Sequence, residues 1–290
     1  MRKYKIAEQN YTQGMLPQNR KAVFWDVVHL QWAKLLLLGA ILLAFFLPTL
    51  MVNLAYDLYA VGVYMVADGA DAVKKTQAGF HLMSIDTLKN LVNMITFAIY
   101  GVGAAGVTRV IRQFAWGENV HIPTDFSKGV KDNAKNTALL FGLAGLILTM
   151  CVALHYLATV YGTDQFWLIA MIPIIFSVLV VLPVGALCLV MIPVYSNNLF
   201  QTAKMALYVY ISAFVKVLPG AIVFVLLRAV SLLPNFWIHL AGGMMVGILT
   251  PFLLLAWTLF CYNQFDKHLN PTLCPEIIGR GVYTPESESN

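Results

Sequence analysis

The sequence predicts an all-α polytopic membrane protein with six transmembrane helices, both termini cytoplasmic, and further helices at the interface. Three observations carry this. Charged residues make up only 11% of the 290 and hydrophobic ones 59%, whereas soluble domains carry ~25% charge and need it to cover a core. A run of 22 residues from Leu35 to Tyr56 holds no charged side chain, with only Thr49 and Asn53 as strongly polar interruptions. At ~1.5 Å rise per residue such a run crosses a ~30 Å hydrocarbon layer. Finally, basic residues collect in a few loops, the pattern that fixes membrane orientation.

Residues 1–32 read as a cytoplasmic arm and interfacial helix, carrying Arg2, Lys3, Lys5, Arg20 and Lys21 with Trp25 and Trp32 as interfacial anchors. Asn10-Tyr11-Thr12 matches a glycosylation sequon, a chance match on a cytoplasmic arm. No small-residue cleavage site follows the first apolar run, so the first span is expected to serve as an uncleaved start signal. The six-span domain, 33–262, divides into crossings at 33–54, 91–111, 137–160, 167–193, 212–233 and 238–262. Between the first two lies an outer insertion, 57–90, with Lys74, Lys75 and Lys89 set against Asp57, Asp68, Asp71 and Asp86. Between the second and third lies a cytoplasmic amphipathic loop, 115–137, flanked by Arg109 and Arg112.

In that loop Phe126, Val130 and Ala134 recur at i, i+4, i+8 as one apolar stripe, while Lys128, Lys131 and Lys135 form a basic face at i, i+3, i+7. Such a helix suits either anionic headgroups or a cytoplasmic partner. The turn 161–165 has no basic residue and is bracketed by Tyr161 and Trp167, as an outer turn should be; Trp237 marks the outer start of the last span. Residues 198–233 are too long for one perpendicular crossing. Lys204, Lys216 and Pro219 interrupt them, so they read as an interfacial helix over 198–213, a proline-associated kink and a crossing that ends near Pro234, or else as one long tilted helix. Residues 263–290 form a cytoplasmic tail with Lys267 and Arg280.

Chemical motifs are sparse. Gly101, Gly103 and Gly106 spell G-x-G-x-x-G, but inside a membrane span, where a dinucleotide site has no strand to precede it. Small residues there let helices approach closely, a role shared by Gly142 with Gly145 and Gly243 with Gly247. Pro183 sits near mid-membrane, removes one helical hydrogen bond and marks a kink or a hinge. Arg228, Lys216 and His155 lie near span ends, where Arg and Lys snorkel, and no span carries a carboxylate at mid-depth, which weighs against proton-coupled transport. Asn53, Asn93 and Ser177 are the polar groups left to bond across helices or to line a solute path. Four cysteines without C-x-x-C spacing read as reduced, mostly buried thiols. Nothing assembles a catalytic constellation, a metal site or a cofactor site, and the net charge of +5 lies in membrane-flanking loops rather than in a nucleic-acid footprint.

A resemblance adds to this. An aromatic-rich leading helix (FWDVVHLQWAKLLLL) runs to a Leu-Pro at Pro48. A Gly/Ala-rich span then ends in Arg109 and Arg112 with Gly117-Glu118 beyond, and an F-x-x-x-x-K-x-N-x-K stretch follows at Phe126, Lys131, Asn133 and Lys135. Together these resemble the YesL-like family of bacterial polytopic membrane proteins, which has no established biochemical activity and is often encoded beside carbohydrate ABC importers. In similar proteins a short turn separates the Leu-Pro from the small-residue helix; here 57–90 intervenes. The resemblance implies a non-enzymatic accessory role in sugar uptake at a bacterial plasma membrane, with lipid and an ABC permease as partners. The contacts would come from Phe126, Lys128, Lys131, Lys135, Arg109 and Arg112 and from the glycine-faced helices. A stand-alone small-solute transporter or channel is the alternative; it requires an aqueous cavity lined by Asn53, Asn93 and Ser177.

Overall fold

The computed structural model describes residues 17–67, 72–162, 164–195, 197–226 and 236–283. Among these the chain is all helical. In order come α1 (Arg20–Ala67), α2 (Ala72–Ala115), α3 (Ile122–Tyr161), α4 (Asp164–Phe176), a π-helical turn (Ser177–Val181), α5 (Leu182–Met191), α6 (Leu199–Ser212), α7 (Phe214–Leu226), α8 (Phe236–His268) and α9 (Asn270–Leu273). Five segments are long and apolar enough to cross a bilayer: Arg20–Val63, Thr76–Ala115, Ile122–Ala158, Trp167–Met191 and Gly247–His268. The pair α6 and α7, bent by 110°, makes a sixth if it is taken as one broken span. Large apolar side chains stand exposed on these helices, among them Met51, Ile95, Met150, Ile172 and Val223. A water-soluble surface does not tolerate apolar exposure on this scale, whereas lipid does.

The helices are longer than the spans read from hydropathy. The outer insertion read over 57–90 is helical on both sides: α1 runs on to Ala67 and α2 begins at Ala72, so both helices extend past their apolar cores. Cross-links hold the extension. Tyr59 Oη bonds His81 Nε2 at 2.7 Å, and Lys89 pairs with Asp86 at 2.5 Å while lying over the Tyr56 ring. At the leading end α1 breaks at Gln31 (φ −125°, ψ 16°), separating Arg20–Leu30, which carries the exposed Trp25, from the long apolar rod.

The amphipathic stretch read over 115–137 is helical from Ile122 and leads into the third span. A short turn at Trp116–His121 leads straight into α3, whose first turns it forms: Pro123 sits near the start, and the Asp125 carboxylate accepts the His121 N–H at 2.7 Å. In 198–226 the bend falls at Ala213 (φ −126°, ψ 27°), where the interfacial helix read over 198–213 ends; Pro219, six residues on, lies inside α7 and does not make it. The Ala213 N–H closes α6 on the Val209 carbonyl while the Ala213 carbonyl opens α7 by accepting from Lys216 and Val217. A single tilted helix is therefore excluded. Arg228, Pro234, the 10–12 sequon and the side chain of Trp237 lie outside the described residues.

The core sits where α1, α2, α5 and α8 meet. Leu35, Leu38, Val107, Ile111, Leu187, Met191, Leu255 and Phe265 are fully buried there. Glycine makes the tightest approaches. A Cβ on Gly101 would lie 2.7 Å from the Thr137 carbonyl oxygen of α3, and one on Gly129 would lie 2.9 Å from the Ala105 carbonyl oxygen of α2. Gly106 faces the ring of Phe126, Gly103 the ring of Phe45, and Gly247 the Leu43 side chain at 2.8 Å; Gly243 meets Leu50 at 3.4 Å. Gly39, not singled out from the sequence, is packed onto the Ile248 backbone of α8. The small-residue faces are thus consumed within the chain and are not free for a partner helix.

Candidate functional site

Two features stand out: a polar junction where the first turn of α1, the end of α2 and the segment after α8 meet, and an apolar cavity beside α3. The junction grows from the last turn of α2. Arg112 points inward rather than toward lipid. Its Nη1 donates to the Pro193 carbonyl at 2.7 Å, just past the end of α5, where a cation also meets the negative end of the helix dipole. Its guanidinium lies 4.6 Å from the centre of the Trp116 ring, and Arg280 from the tail lies 4.2 Å from the same ring. Glu118 offsets the two like charges, accepting from Arg280 at 2.9 Å and standing 4.0 Å from Arg112.

Arg20 completes the ring of contacts. It donates to Asp266 Oδ2 at 2.8 Å and to the Arg280 carbonyl at 2.5 Å. Asp266 also accepts from Asn270 Nδ2 at 2.8 Å and from the Gly279 N–H at 3.3 Å. Tyr195 donates to Asn270 Oδ1 at 2.6 Å, and burial pushes its phenol well above the usual range, holding that donor protonated. Gly281 (φ +82°) packs against the Ala115 carbonyl, a conformation and a proximity that only glycine allows. The tail to residue 283 is consequently docked, not free. Sequence reasoning missed this because none of Arg20, Asp266 and Arg280 lies near its partners in the chain.

Several candidate contact residues are accounted for in this way. Arg109 bonds Asp132 on α3 at 2.6 Å, and Phe126 packs between Gly106 and Phe45. With Arg112 they are internal ties, because α3 lies against α2 along this length; they do not form an outward surface. Lys128, Lys131 and Lys135 remain exposed on the opposite side of α3. The polar residues required of a solute path are also engaged. Asn93 donates to Asn53 at 2.9 Å and Thr49 to Thr96 at 2.9 Å, both between α1 and α2, and Ser177 donates to its own helix at the Pro173 carbonyl. Of the three named for such a path, Ser177 lines the cavity described below, whereas Asn53 and Asn93 bond each other between α1 and α2.

The cavity, about 1100 Å³, lies between α3 and the arm formed by α4, the π turn, α5 and α6. Leu143, Ile147 and Cys151 line it from α3, Val178 and Val181 from the π turn, and Leu207 from α6. The wall has a local explanation. Pro183 has no N–H to give the Leu179 carbonyl, and the Tyr210 hydroxyl of α6 donates to that oxygen instead. The proline is thus tied to a π-helical turn pinned from a neighbouring helix. The space is an open groove rather than an enclosed void, and its lining is almost wholly apolar.

Among the described residues no three His, Cys, Asp or Glu side chains converge to hold a metal ion. Cys151, Cys188, Cys261 and Cys274 are all unpaired thiols, the first three buried. No family model, curated protein or solved structure matches this chain.

Proposed function

We propose that the chain is a non-enzymatic, multi-pass accessory protein of a bacterial plasma membrane, docking through Lys128, Lys131 and Lys135 on the cytoplasmic side of a carbohydrate ABC importer. The basic face of α3 carries this reading. Three lysines stand exposed in a row on a helix that is bound rigidly to α2, and the nearby carboxylate of Asp132 is turned to Arg109. Six crossings, with α6 and α7 counted as one and both termini inside, put this face, Arg20 and the docked tail on the positive side of the membrane. The non-enzymatic reading is supported by the junction, whose strongest acid–base groups are spent on structural bonds. The importer as partner rests on the YesL-like resemblance.

The test is copurification under mild detergent. A tagged chain should retain an importer permease or its ATPase, and replacing all three lysines by glutamine should release that partner without lowering thermal stability. Retention of no transport subunit by the unaltered chain would overturn the proposal.

A further inference from the structure

We infer that the cavity beside α3 is a binding site for an anionic phospholipid, with its acyl chains in the apolar trough and its phosphate at Lys204. The trough has the chemistry of an acyl-chain site. Its lining is almost wholly aliphatic and aromatic, and on α3 it runs from Leu140 to His155, a rise of about 22 Å at 1.5 Å per residue. That exceeds the ~15 Å of one leaflet, half of a ~30 Å core, so full-length acyl chains fit along it.

Charge gives the trough a direction. Lys204 borders the end formed by α6, where it is exposed, rests its ammonium 4.6 Å from the centre of the Phe200 ring and meets no carboxylate in an ion pair among the described residues. At the other end stand Asp86, already paired with Lys89, and His155, stacked edge-on against Trp167. An anionic headgroup is therefore drawn to Lys204, while the neutralised Asp86–Lys89 pair at the other end offers it no comparable attraction. The leaflet on the basic side of a membrane protein is also the one enriched in anionic lipid. Tyr210 fixes the π turn that walls the trough, so the space is built in rather than left by chance. This inference does not depend on the importer reading.

The experiment uses the full chain in detergent, titrated with phosphatidylglycerol and with phosphatidylcholine of the same acyl chains and read by native mass spectrometry. Phosphatidylglycerol should bind about fivefold more tightly, the worth of one lysine at a membrane surface. Lys204→Gln should erase that preference and Lys204→Arg should keep it. Gly185→Phe should weaken both lipids, since a side chain there enters the trough opposite Leu140. Equal binding of the two lipids, a preference unchanged in Lys204→Gln, or full binding by Gly185→Phe would each overturn the assignment; Lys204→Gln, a change at an exposed side chain, keeps the test decisive if Gly185→Phe does not fold.

Discussion

Helix α3 treats its two neighbours in opposite ways. Toward α2 it forms a seam in which Gly101, Gly106 and Gly129 bring backbones together and Arg109 reaches across to Asp132. Toward α5 and α6 it stands away, leaving a cavity of about 1100 Å³. The seam gains dispersion and hydrogen bonding by excluding everything else. The gap does the reverse and leaves its apolar lining to hydrocarbon. One helix therefore carries both the rigid part of the molecule and the part open to its solvent.

The largest expected effect lies at the polar junction beyond the last turn of α2. Asp266→Ala removes the acceptor of Arg20, Asn270 and the Gly279 N–H at once. Thermal unfolding in detergent should register a loss of about 3 kcal/mol, typical for stranding a buried charge. Gly101→Leu should cost about 2 kcal/mol, because its first carbon already meets the Thr137 backbone. On the gap side, Tyr210→Phe leaves the Leu179 carbonyl without its donor and should cost about 1.5 kcal/mol. The smallest effect sharpens the contrast: Gly185→Leu, whose Cβ meets only Leu140 at 4.0 Å, should shift stability by less than about 0.5 kcal/mol. The same Gly-to-Leu change thus separates seam from gap.

How far the sequence reveals this differs between the two faces. The seam was legible: G-x-G-x-x-G inside a span can only mean close approach, and the Phe126 stripe repeats at helical spacing. The stripe's direction was not, since period alone cannot say whether a face meets a neighbouring helix or a partner. The helical extension was hidden because hydropathy marks the lipid-facing length and stays silent on polar turns that continue a helix, as Asp86 and Lys89 do. The break after 213 was legible, but its cause was assigned to Pro219, the visible breaker, while the backbone turned at Ala213, a residue with no such mark. The junction and the cavity join residues far apart in the chain, from Arg20 to Arg280 and from Leu42 to Leu254, and no local pattern announces them.

The central claim is that α3 crosses the bilayer with its basic end inside. Single cysteines at Ser127, near that end, and at Gly162, in the opposite turn, test it in a chain whose Cys274 is replaced by serine, the other three thiols being buried. With a membrane-impermeant maleimide on intact cells, Gly162→Cys should react and Ser127→Cys should react only after permeabilisation. Labelling of Ser127→Cys from outside, or of both positions alike, would contradict the account.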